Sequence, residues 1–380
     1  MTLLDIVYDY SRYGAIAFAA SLALTPVMIR VANKYGVMDM PDRLLKPHAR
    51  PTPYLGGVAI GLGWTIALLA SLMLGNLPVP NGVIFLVGGV GMMMLGLLDD
   101  LRDLSPKLRL GAGAAIIAMV FITTQAGFQL VHGLLGIVGL HDLLPEPIEK
   151  TLSVLLAVFI VLGACNSTNL IDGLDGLCSG VTAIISLGFF LLAAHLATFR
   201  PAEEGHYVRI VMAMAMLGAT LGFLPMNFNP ARIFMGDTGS VLLGYNCGML
   251  IVLFGEWCNF RWVFGALMIF ALPVFDTALA MFRRWRSGKP IFKGDRSHFY
   301  DQLVQRGFTV KQAVLTCYGM TVFYGLVGLA VMTLRLRFAM PVFIGVCAGS
   351  AAIAWWSGMT HPERNPRTRG GSEPRTARMP

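Results

Sequence analysis

The chain has 380 residues, of which 56% are hydrophobic and only 13% are charged. Ordinary soluble domains carry about 25% charged residues, so this composition excludes a soluble domain and indicates an integral membrane protein. The formal net charge is +8. The Lys and Arg residues lie mainly in alternate loops, as described below, so we interpret this charge as a membrane-orientation signal. We therefore predict no nucleic-acid partner.

Apolar segments recur along the chain, and about 20 such residues cross a bilayer as a helix. The first segment follows Asp5 and Asp9, whereas a cleaved signal peptide would begin with basic residues. We predict an all-α polytopic membrane protein with ten or eleven transmembrane helices, the boundary between the last two being the weakest. The predicted spans lie near residues 14–32, 55–75, 82–98, 110–125, 151–166, 177–198, 208–226, 238–256, 262–282, 312–333 and 338–357.

Lys and Arg residues concentrate in alternate loops between these spans. If the N-terminus lies outside, 22 of the 29 fall in cytoplasmic segments. Cytoplasmic loops of membrane proteins carry such an excess, so we predict an outer N-terminus and a cytoplasmic C-terminus. A basic inner face would also attract anionic membrane lipids and phosphorylated substrates.

We predict one transmembrane domain, residues 1–357, and a disordered basic tail, residues 358–380. The six scattered cysteines are interpreted as packing residues. The Gly57-xxx-Gly61 motif allows helices to approach closely, either within the chain or in a homodimer. Polar residues gather in cytoplasmic loops, where we expect the active site. These loops cover residues 33–54, 99–109, 166–176, 227–240 and 284–311.

The first polar set, Asp99-Asp100-Leu101-Arg102-Asp103, closes the third span and precedes Lys107 and Arg109. Two adjacent carboxylates repel each other unless a cation neutralises them. Carboxylates acting with phosphate oxygens are the usual ligands of Mg²⁺. A solvated helix end is the better explanation of Asp103 and Arg102 taken alone, but it is a weaker explanation of the Asp99-Asp100 pair.

The second set is Asn166-x-x-Asn169-x-x-Asp172-Gly173-x-Asp175. A helical turn would stack these four groups on one face, because they are three residues apart. Helix capping explains Asp175 alone, but not all four.

The third set contains Phe234 and Gly236-Asp237-Thr238-Gly239-Ser240. It predicts a turn entering a helix, whose free N–H groups favour phosphate; an N-cap role for Asp237 is the alternative. The fourth set, Asp295-Arg296-Ser297-His298, lies in the most basic loop and offers cations to phosphate.

All four sets fall on the predicted cytoplasmic face. Carboxylates, amides, cations and glycines together are typical of metal-assisted phosphoryl transfer. A transporter of anionic sugar phosphates is an alternative, although transporters place polar sites near the membrane midplane on paired broken helices. A catalytically silent scaffold is a third hypothesis, and it predicts that the acidic sets tolerate substitution.

In this order, the motifs resemble those of the polyprenyl-phosphate N-acetylhexosamine-1-phosphate transferases, glycosyltransferase family 4. The matching segments are Lys46-Pro47-His48-Ala49-Arg50-Pro51 with Gly56-Gly57, Asp99-Asp100-x-x-Asp103, Asn166-x-x-Asn169-x-x-Asp172-Gly173-x-Asp175-Gly176, Gly236-Asp237-Thr238-Gly239-Ser240 and Asp295-Arg296-x-His298.

The resemblance implies a multi-pass enzyme of the bacterial inner membrane that acts at the cytoplasmic face. It would transfer a sugar 1-phosphate, with GlcNAc 1-phosphate favoured, from a UDP-sugar to undecaprenyl phosphate and release UMP. The product would initiate a lipid-linked cell-envelope polysaccharide. UDP-MurNAc-pentapeptide and a modified N-acetylhexosamine are the alternative donors.

The resemblance also implies residue roles. Asp237 and Asn169 would hold Mg²⁺, or Mn²⁺ in its place, against the donor diphosphate. Asp99, with Asp100 beside it, would orient or deprotonate the lipid phosphate. The implied substrate-binding residues are Lys107 and Arg109 for phosphate charge, Phe234 and Asp175 for uracil, Asn166 and Asp172 lining the site, Arg296 and His298 for the donor, and Lys46.

One segment departs from the family pattern. Relatives of the GlcNAc type commonly continue as His-x-His-His, whereas this chain has His298-Phe299-Tyr300-Asp301. The departure leaves the donor sugar open. We also predict that Asp276, inside the ninth span, forms a structural pair with a polar group of a neighbouring helix.

Overall fold

The computed structural model describes residues 2–40, 51–75, 77, 79–140, 143–199, 205–256, 260–288 and 298–360. These residues form fourteen helices and one two-stranded antiparallel ribbon, β1 (Met38–Asp39) with β2 (Thr52–Pro53). The helices are α1 (Leu3–Tyr35), α2 (Gly56–Met73), α3 (Val79–Arg102), α4 (Pro106–Thr124), α5 (Leu130–Ile137), α6 (Glu146–Ile171), α7 (Leu177–Phe199), α8 (Gly205–Asn227), α9 (Gly236–Leu253), α10 (Phe260–Ile269), α11 (Ala271–Arg286), α12 (Phe299–Gln305), α13 (Val310–Thr333) and α14 (Leu336–Trp356).

The all-α polytopic fold predicted from the sequence is confirmed, and each predicted span corresponds to a helix or a helix pair. Among the described residues, nine helices are long and apolar enough to cross a membrane, and the bent pair α10 and α11 brings the number to ten. The predicted eighth span is α9, whose first turn carries Asp237 and whose middle carries Asn246. Every residue of α9 except Asp237 is buried, so Asn246 faces protein and not lipid.

The predicted ninth span, residues 262–282, is a bent pair of helices. The helix breaks at Phe270, and α10 and α11 meet at a bend of 72°. Pro273 lies in the first turn of α11, the part of a helix where a residue without an N–H is tolerated. The last two spans are two separate helices, α13 and α14, divided at Leu334 and Arg335, where the backbone is extended.

The N-terminus of α9 lies between α2 and α3, and glycines allow this close approach. A Cβ on Gly57 would overlap the backbone of Gly239, and one on Gly96 would lie 2.5 Å from the Asp237 carbonyl oxygen. The Gly57 N–H also donates to the Met235 carbonyl at 2.8 Å. Close packing within the chain is therefore confirmed for Gly57, while a homodimer stays a prediction.

Replacement of Gly57 by Ala should destabilise the protein, because the new methyl group would overlap the first turn of α9. Overpacking of this kind costs about 1–3 kcal/mol. The measurement is the melting temperature in detergent. Gly163→Ala is the matched control, since no atom lies within 4 Å of a Cβ at that helical position. Equal melting temperatures for the two variants would contradict this account of the α2 and α9 contact.

Candidate active site

An ion-paired group joins the ends of three helices. The guanidinium of Arg109, in the first turn of α4, lies 2.7 Å from Asp99 Oδ2 and 2.9 Å from Asp237 Oδ2. Asp99 belongs to the last turn of α3 and Asp237 to the first turn of α9. The second oxygen of Asp99 accepts the Leu104 N–H at 2.8 Å. Two carboxylates that are 138 residues apart in sequence thus share one cation.

Asn169, in the last turn of α6, completes this group. Its Nδ2 lies 2.6 Å from Asp237 Oδ1 and 3.1 Å from Ser240 Oγ. A half-turn of the amide would present its oxygen at the same place. Asp237 and Asn169, the two residues for which metal binding was predicted, are therefore in direct contact.

Asp100 faces a different direction from its neighbour. Its Oδ1 accepts the Asp237 N–H at 2.8 Å, and its Oδ2 accepts the Thr238 N–H at 2.9 Å and the Thr238 hydroxyl at 2.5 Å. Gly236, with φ of 67°, leaves room for it, since a Cβ there would lie 2.6 Å from Asp100 Oδ2. The expectation that these N–H groups are free for phosphate is wrong, because the Asp100 carboxylate already binds them.

Tyr54 also contacts Asp100. Burial raises the pKa of the Tyr54 phenol, with a further contribution from the charges of Asp100 and Asp237, so the hydroxyl stays protonated and donates to Asp100. The Asp100 carboxylate therefore accepts hydrogen bonds on both oxygens, whereas the Asp99 carboxylate is paired with the guanidinium of Arg109.

The expected helical stack of the second set holds only for its first half. Asn166 and Asn169 lie on α6, but the helix ends at Ile171, and Asp172 and Asp175 lie in the turn before α7. The Asn166 amide donates to the Leu162 carbonyl of its own helix at 3.1 Å.

Asp175 fixes the loop that follows α8. Its Oδ2 accepts the Asn229 side-chain amide and the Ala231 N–H, each at 2.9 Å. Capping of the next helix is therefore not needed to explain Asp175, because this carboxylate joins two loops that approach the same cleft.

The cleft between these loops has a volume of about 420 Å³. Its lining includes the polar side chains of Asn169 and Asp237 and the aromatic residue Phe234. The lining residues are Asp39, Tyr54, Asn169, Asp172, Gly173, Leu174, Asp175, Asn227, Asn229, Phe234, Gly236, Asp237 and Val310. The cleft is of the size that small-molecule ligands occupy.

The structure brings together most of the residues predicted from the sequence. Asp99, Asp100, Arg109, Asn169 and Asp237 form the contacts described above, and Asp172, Asp175 and Phe234 line the cleft. Lys107 is exposed on α4. Lys46 and Arg296 lie outside the described residues, so their roles stay predictions.

His298 is buried and directed toward α11. A hydrogen bond joins its Nδ1 to Asp276 Oδ2 at 2.7 Å, and the Phe299 N–H donates to the other Asp276 oxygen. The expected structural pairing of Asp276 is thus confirmed, with His298 at the start of α12 as its partner. A contact of His298 with the donor stays a prediction.

Sequence reasoning missed Asp39 and Tyr54. Both reach the cleft because β1 pairs with β2, in the register Asp39 opposite Thr52. Tyr54 lies inside the motif that runs to Gly57, which was a usable signal. No sequence signal marked Asp39, because its position at the cleft depends on a pairing of only two residues per strand.

The site suits a metal ion that substrate helps to hold. No group of three His, Cys, Asp or Glu side chains in the described part of the chain forms a ready metal cage. Mg²⁺ does not require one, since it is commonly bound by one or two carboxylates plus substrate phosphates. Burial, with the charges of Asp237, Asp100 and Asp175, raises the pKa of Asp172 to about 8. Burial and these like charges disfavour the ionised form of Asp172, and a bound cation would stabilise it.

Sequence comparisons relate the chain to known proteins. Residues 83–255, which include both Asp99 and Ser240, match the model of glycosyl transferase family 4. The chain is 32% identical over 311 residues to the probable undecaprenyl-phosphate N-acetylglucosaminyl 1-phosphate transferase of Bacillus subtilis, covering 80% of each chain. It is 30% identical to the decaprenyl-phosphate N-acetylglucosaminephosphotransferase of Mycolicibacterium smegmatis, covering 76% of this chain and 73% of that one. It is 27% identical to the phospho-N-acetylmuramoyl-pentapeptide-transferase of Orientia tsutsugamushi, covering 84% and 92%.

Replacement of Asp100 by Asn should lower the melting temperature, because an amide has one acceptor oxygen where the first turn of α9 needs two. Leaving a buried donor without a partner costs about 1–3 kcal/mol. Asp103→Asn is the matched control. It removes a carboxylate from the same segment, but Asp103 is exposed and its φ of 51° suits Asn. If both variants have the same melting temperature, the Asp100 contact does not stabilise the fold.

Proposed function

Because the chain belongs to glycosyl transferase family 4, we propose that it transfers N-acetylhexosamine 1-phosphate, with GlcNAc 1-phosphate favoured, from a UDP-sugar to undecaprenyl phosphate. The chain is about 30% identical to relatives named for this activity. The observation that carries the proposal is the contact of Asp237 with Asn169, which also lines the cleft, and with Arg109. The product would begin a lipid-linked cell-envelope polysaccharide.

In the reaction, an oxygen of the lipid phosphate attacks the β-phosphorus of the UDP-sugar. A new P–O bond forms there, and the bond to the oxygen that bridges the α- and β-phosphates breaks. UMP leaves with the electron pair of that bond, and the sugar remains attached through a diphosphate to the lipid. Positioning and charge neutralisation are the main contributions that a protein makes to phosphoryl transfer.

The donor is proposed to lie in the cleft with its uracil toward Phe234 and Asp175. Phe234 offers a face for stacking, and Asp175 has a second carboxylate oxygen beside the one that holds Asn229 and Ala231. The diphosphate then points toward Asn169 and Asp237. Both lie at the same cleft and touch each other.

Asp237 and Asn169 would hold Mg²⁺, which neutralises the diphosphate and polarises the β-phosphorus. Arg109 is placed to neutralise negative charge on the phosphates, because its guanidinium lies between Asp99 and Asp237. Once phosphate oxygens are present, the same guanidinium can bind them by charge-assisted hydrogen bonds.

Asp99 is proposed to act on the acceptor. A phosphate monoester has a second pKa of about 6, so most of the lipid phosphate is already ionised at neutral pH. The main task of Asp99 is then to orient this phosphate together with Arg109, and to take the remaining proton where there is one. Its fixed hydrogen bond from the Leu104 N–H keeps the carboxylate directed toward Arg109.

The enzyme is proposed to reside in the bacterial inner membrane with its active site at the cytoplasmic face. The excess of Lys and Arg in the loops on the site's side supports this orientation. The structure supports the grouping of these polar residues at one site, because the end of α3, the end of α6 and the start of α9 meet there.

Purified protein with undecaprenyl phosphate and Mg²⁺ should release UMP from a UDP-sugar, fastest from UDP-GlcNAc. The donor panel should include UDP-MurNAc-pentapeptide and other UDP-N-acetylhexosamines, because the missing histidines at residues 300 and 301 leave the sugar open. UMP release is the measurement. Absence of UMP with every donor would overturn the proposal.

The same assay in sealed vesicles tests the membrane face. A UDP-sugar does not cross a bilayer, so inverted inner-membrane vesicles should release UMP and right-side-out vesicles should release it only after detergent is added. Equal release from both sealed preparations would contradict a cytoplasmic site.

Replacement of Asp237 by Ala should lower kcat by a factor of about 10² to 10³ or more, as loss of a main charge-stabilising group does. The melting temperature, measured in parallel, should show a folded protein. Asp103→Asn, which removes an exposed carboxylate near the site, should keep its turnover. Retained Mg²⁺-dependent turnover in Asp237→Ala would remove Asp237 from the metal site.

A further inference from the structure

The turn between α6 and α7, residues 172–176, carries two of the carboxylates that line the cleft, Asp172 and Asp175. No helix holds this turn, because α6 ends at Ile171 and α7 begins at Leu177. The last carbonyls of a helix also lack partners within it. The Asp175 carboxylate is held by Asn229 and Ala231, and contacts with the backbone at the two ends of the turn help to fix the position of both carboxylates.

Two tyrosines bind those ends. The Tyr300 hydroxyl, from α12, donates to the Leu170 carbonyl at 2.9 Å. The Tyr318 hydroxyl, from α13, donates to the Gly176 carbonyl at 2.5 Å. One phenol thus holds the backbone before the turn, and the other holds the backbone at its last residue.

Glycines make room for both side chains. A Cβ on Gly173 would overlap the Tyr300 hydroxyl, and a Cβ on Gly180 would overlap that of Tyr318. The turn and the start of α7 are therefore shaped around the two phenols.

Tyr300 is itself firmly placed. Its side chain is 5% exposed, and its ring stacks on His298 with centroids 5.5 Å apart and planes 8° apart. His298 in turn is hydrogen-bonded to Asp276 of α11. Burial raises the pKa of the Tyr300 phenol, so its hydroxyl remains a donor. A continuous series of contacts thus runs from α11 through α12 to the turn.

We propose that Tyr300 and Tyr318 are positioning residues for the nucleotide donor, acting through the turn that presents Asp172 and Asp175 to the cleft. This inference rests on the proposed function and deepens it. Neither tyrosine is among the residues that line the cleft, so neither touches the donor in this arrangement. Their loss should therefore weaken donor binding and leave the acceptor side, around Asp99 and Arg109, unchanged.

The test compares Tyr300→Phe and Tyr318→Phe, singly and together, with the wild type. Each change deletes one hydroxyl and keeps the ring. The measurements are kcat, the KM values for UDP-sugar and for undecaprenyl phosphate, and the Kd of UMP by calorimetry. Each single variant should raise the donor KM and the UMP Kd about fivefold to tenfold, the usual effect of losing one such hydrogen bond. The acceptor KM should stay within twofold of the wild type.

Tyr324→Phe is the matched control. Tyr324 also lies on α13 and its buried hydroxyl is hydrogen-bonded to Ser350 Oγ at 2.8 Å, but its partner belongs to α14. This variant should keep the wild-type donor KM. Gly180→Ala gives a second route to the same effect, because it displaces the Tyr318 hydroxyl without altering that residue.

The outcomes separate the two proposals. If the wild type releases no UMP from any donor, the proposed function fails. If the wild type is active but the Tyr300 and Tyr318 variants keep their donor KM and UMP Kd, the positioning inference fails. It also fails if Tyr324→Phe raises the donor KM equally, or if the acceptor KM rises as much as the donor KM, because the effect would then be general loss of packing.

Discussion

The carboxylate of Asp100 binds the N-terminus of α9, and the rest of the site depends on this contact. The first turn of α9 packs closely between α2 and α3 through glycines, and Gly236 and Thr238 within it are buried. Unpaired buried donors are costly, and a negative charge at a helix N-terminus is favourable. Asp100 meets both requirements with two oxygens. The backbone of Asp237 is thereby fixed, and its side chain is left to face Asn169 and Arg109.

This contact explains why two adjacent aspartates have different surroundings. Successive residues of a helix point about 100° apart, so Asp100 faces α9 while Asp99 faces Arg109. Two adjacent carboxylates require positive charge nearby, and the structure provides this charge in two forms. For Asp99 the source is a guanidinium, and for Asp100 it is the end of a helix. The order of the two residues does not predict which aspartate pairs with the guanidinium and which with the helix end, because that depends on how α3 is rotated against α9.

The spans were predictable because about 20 apolar residues in a row leave few alternatives in a bilayer. Most residues of the site were predictable too, since Asp99, Asn169, Asp172 and Asp237 all follow or begin apolar segments. Their contacts were not. The bend at Phe270, the stacking of Tyr300 on His298 and the arrival of Asp39 at the cleft all depend on packing between segments far apart in sequence. Hydropathy is a local property and contains no information on such pairings.

The location and charge of the site also bear on the order in which ligands can bind. The polar groups lie at the ends of α3 and α6 and the start of α9, whereas a transporter site would be expected on broken helices at the membrane midplane. With Asp100 satisfied by α9, the carboxylates of Asp99, Asp172 and Asp237 remain, and in the described part of the chain Arg109 is the cation paired with two of them. In the proposed reaction, a diphosphate that arrived without a cation would meet the carboxylates of Asp99 and Asp237 with one guanidinium between them. We therefore expect the donor to enter with its cation. Burial is the main cause that raises the pKa of Asp172 to about 8, and a cation beside this carboxyl group would favour its ionised form.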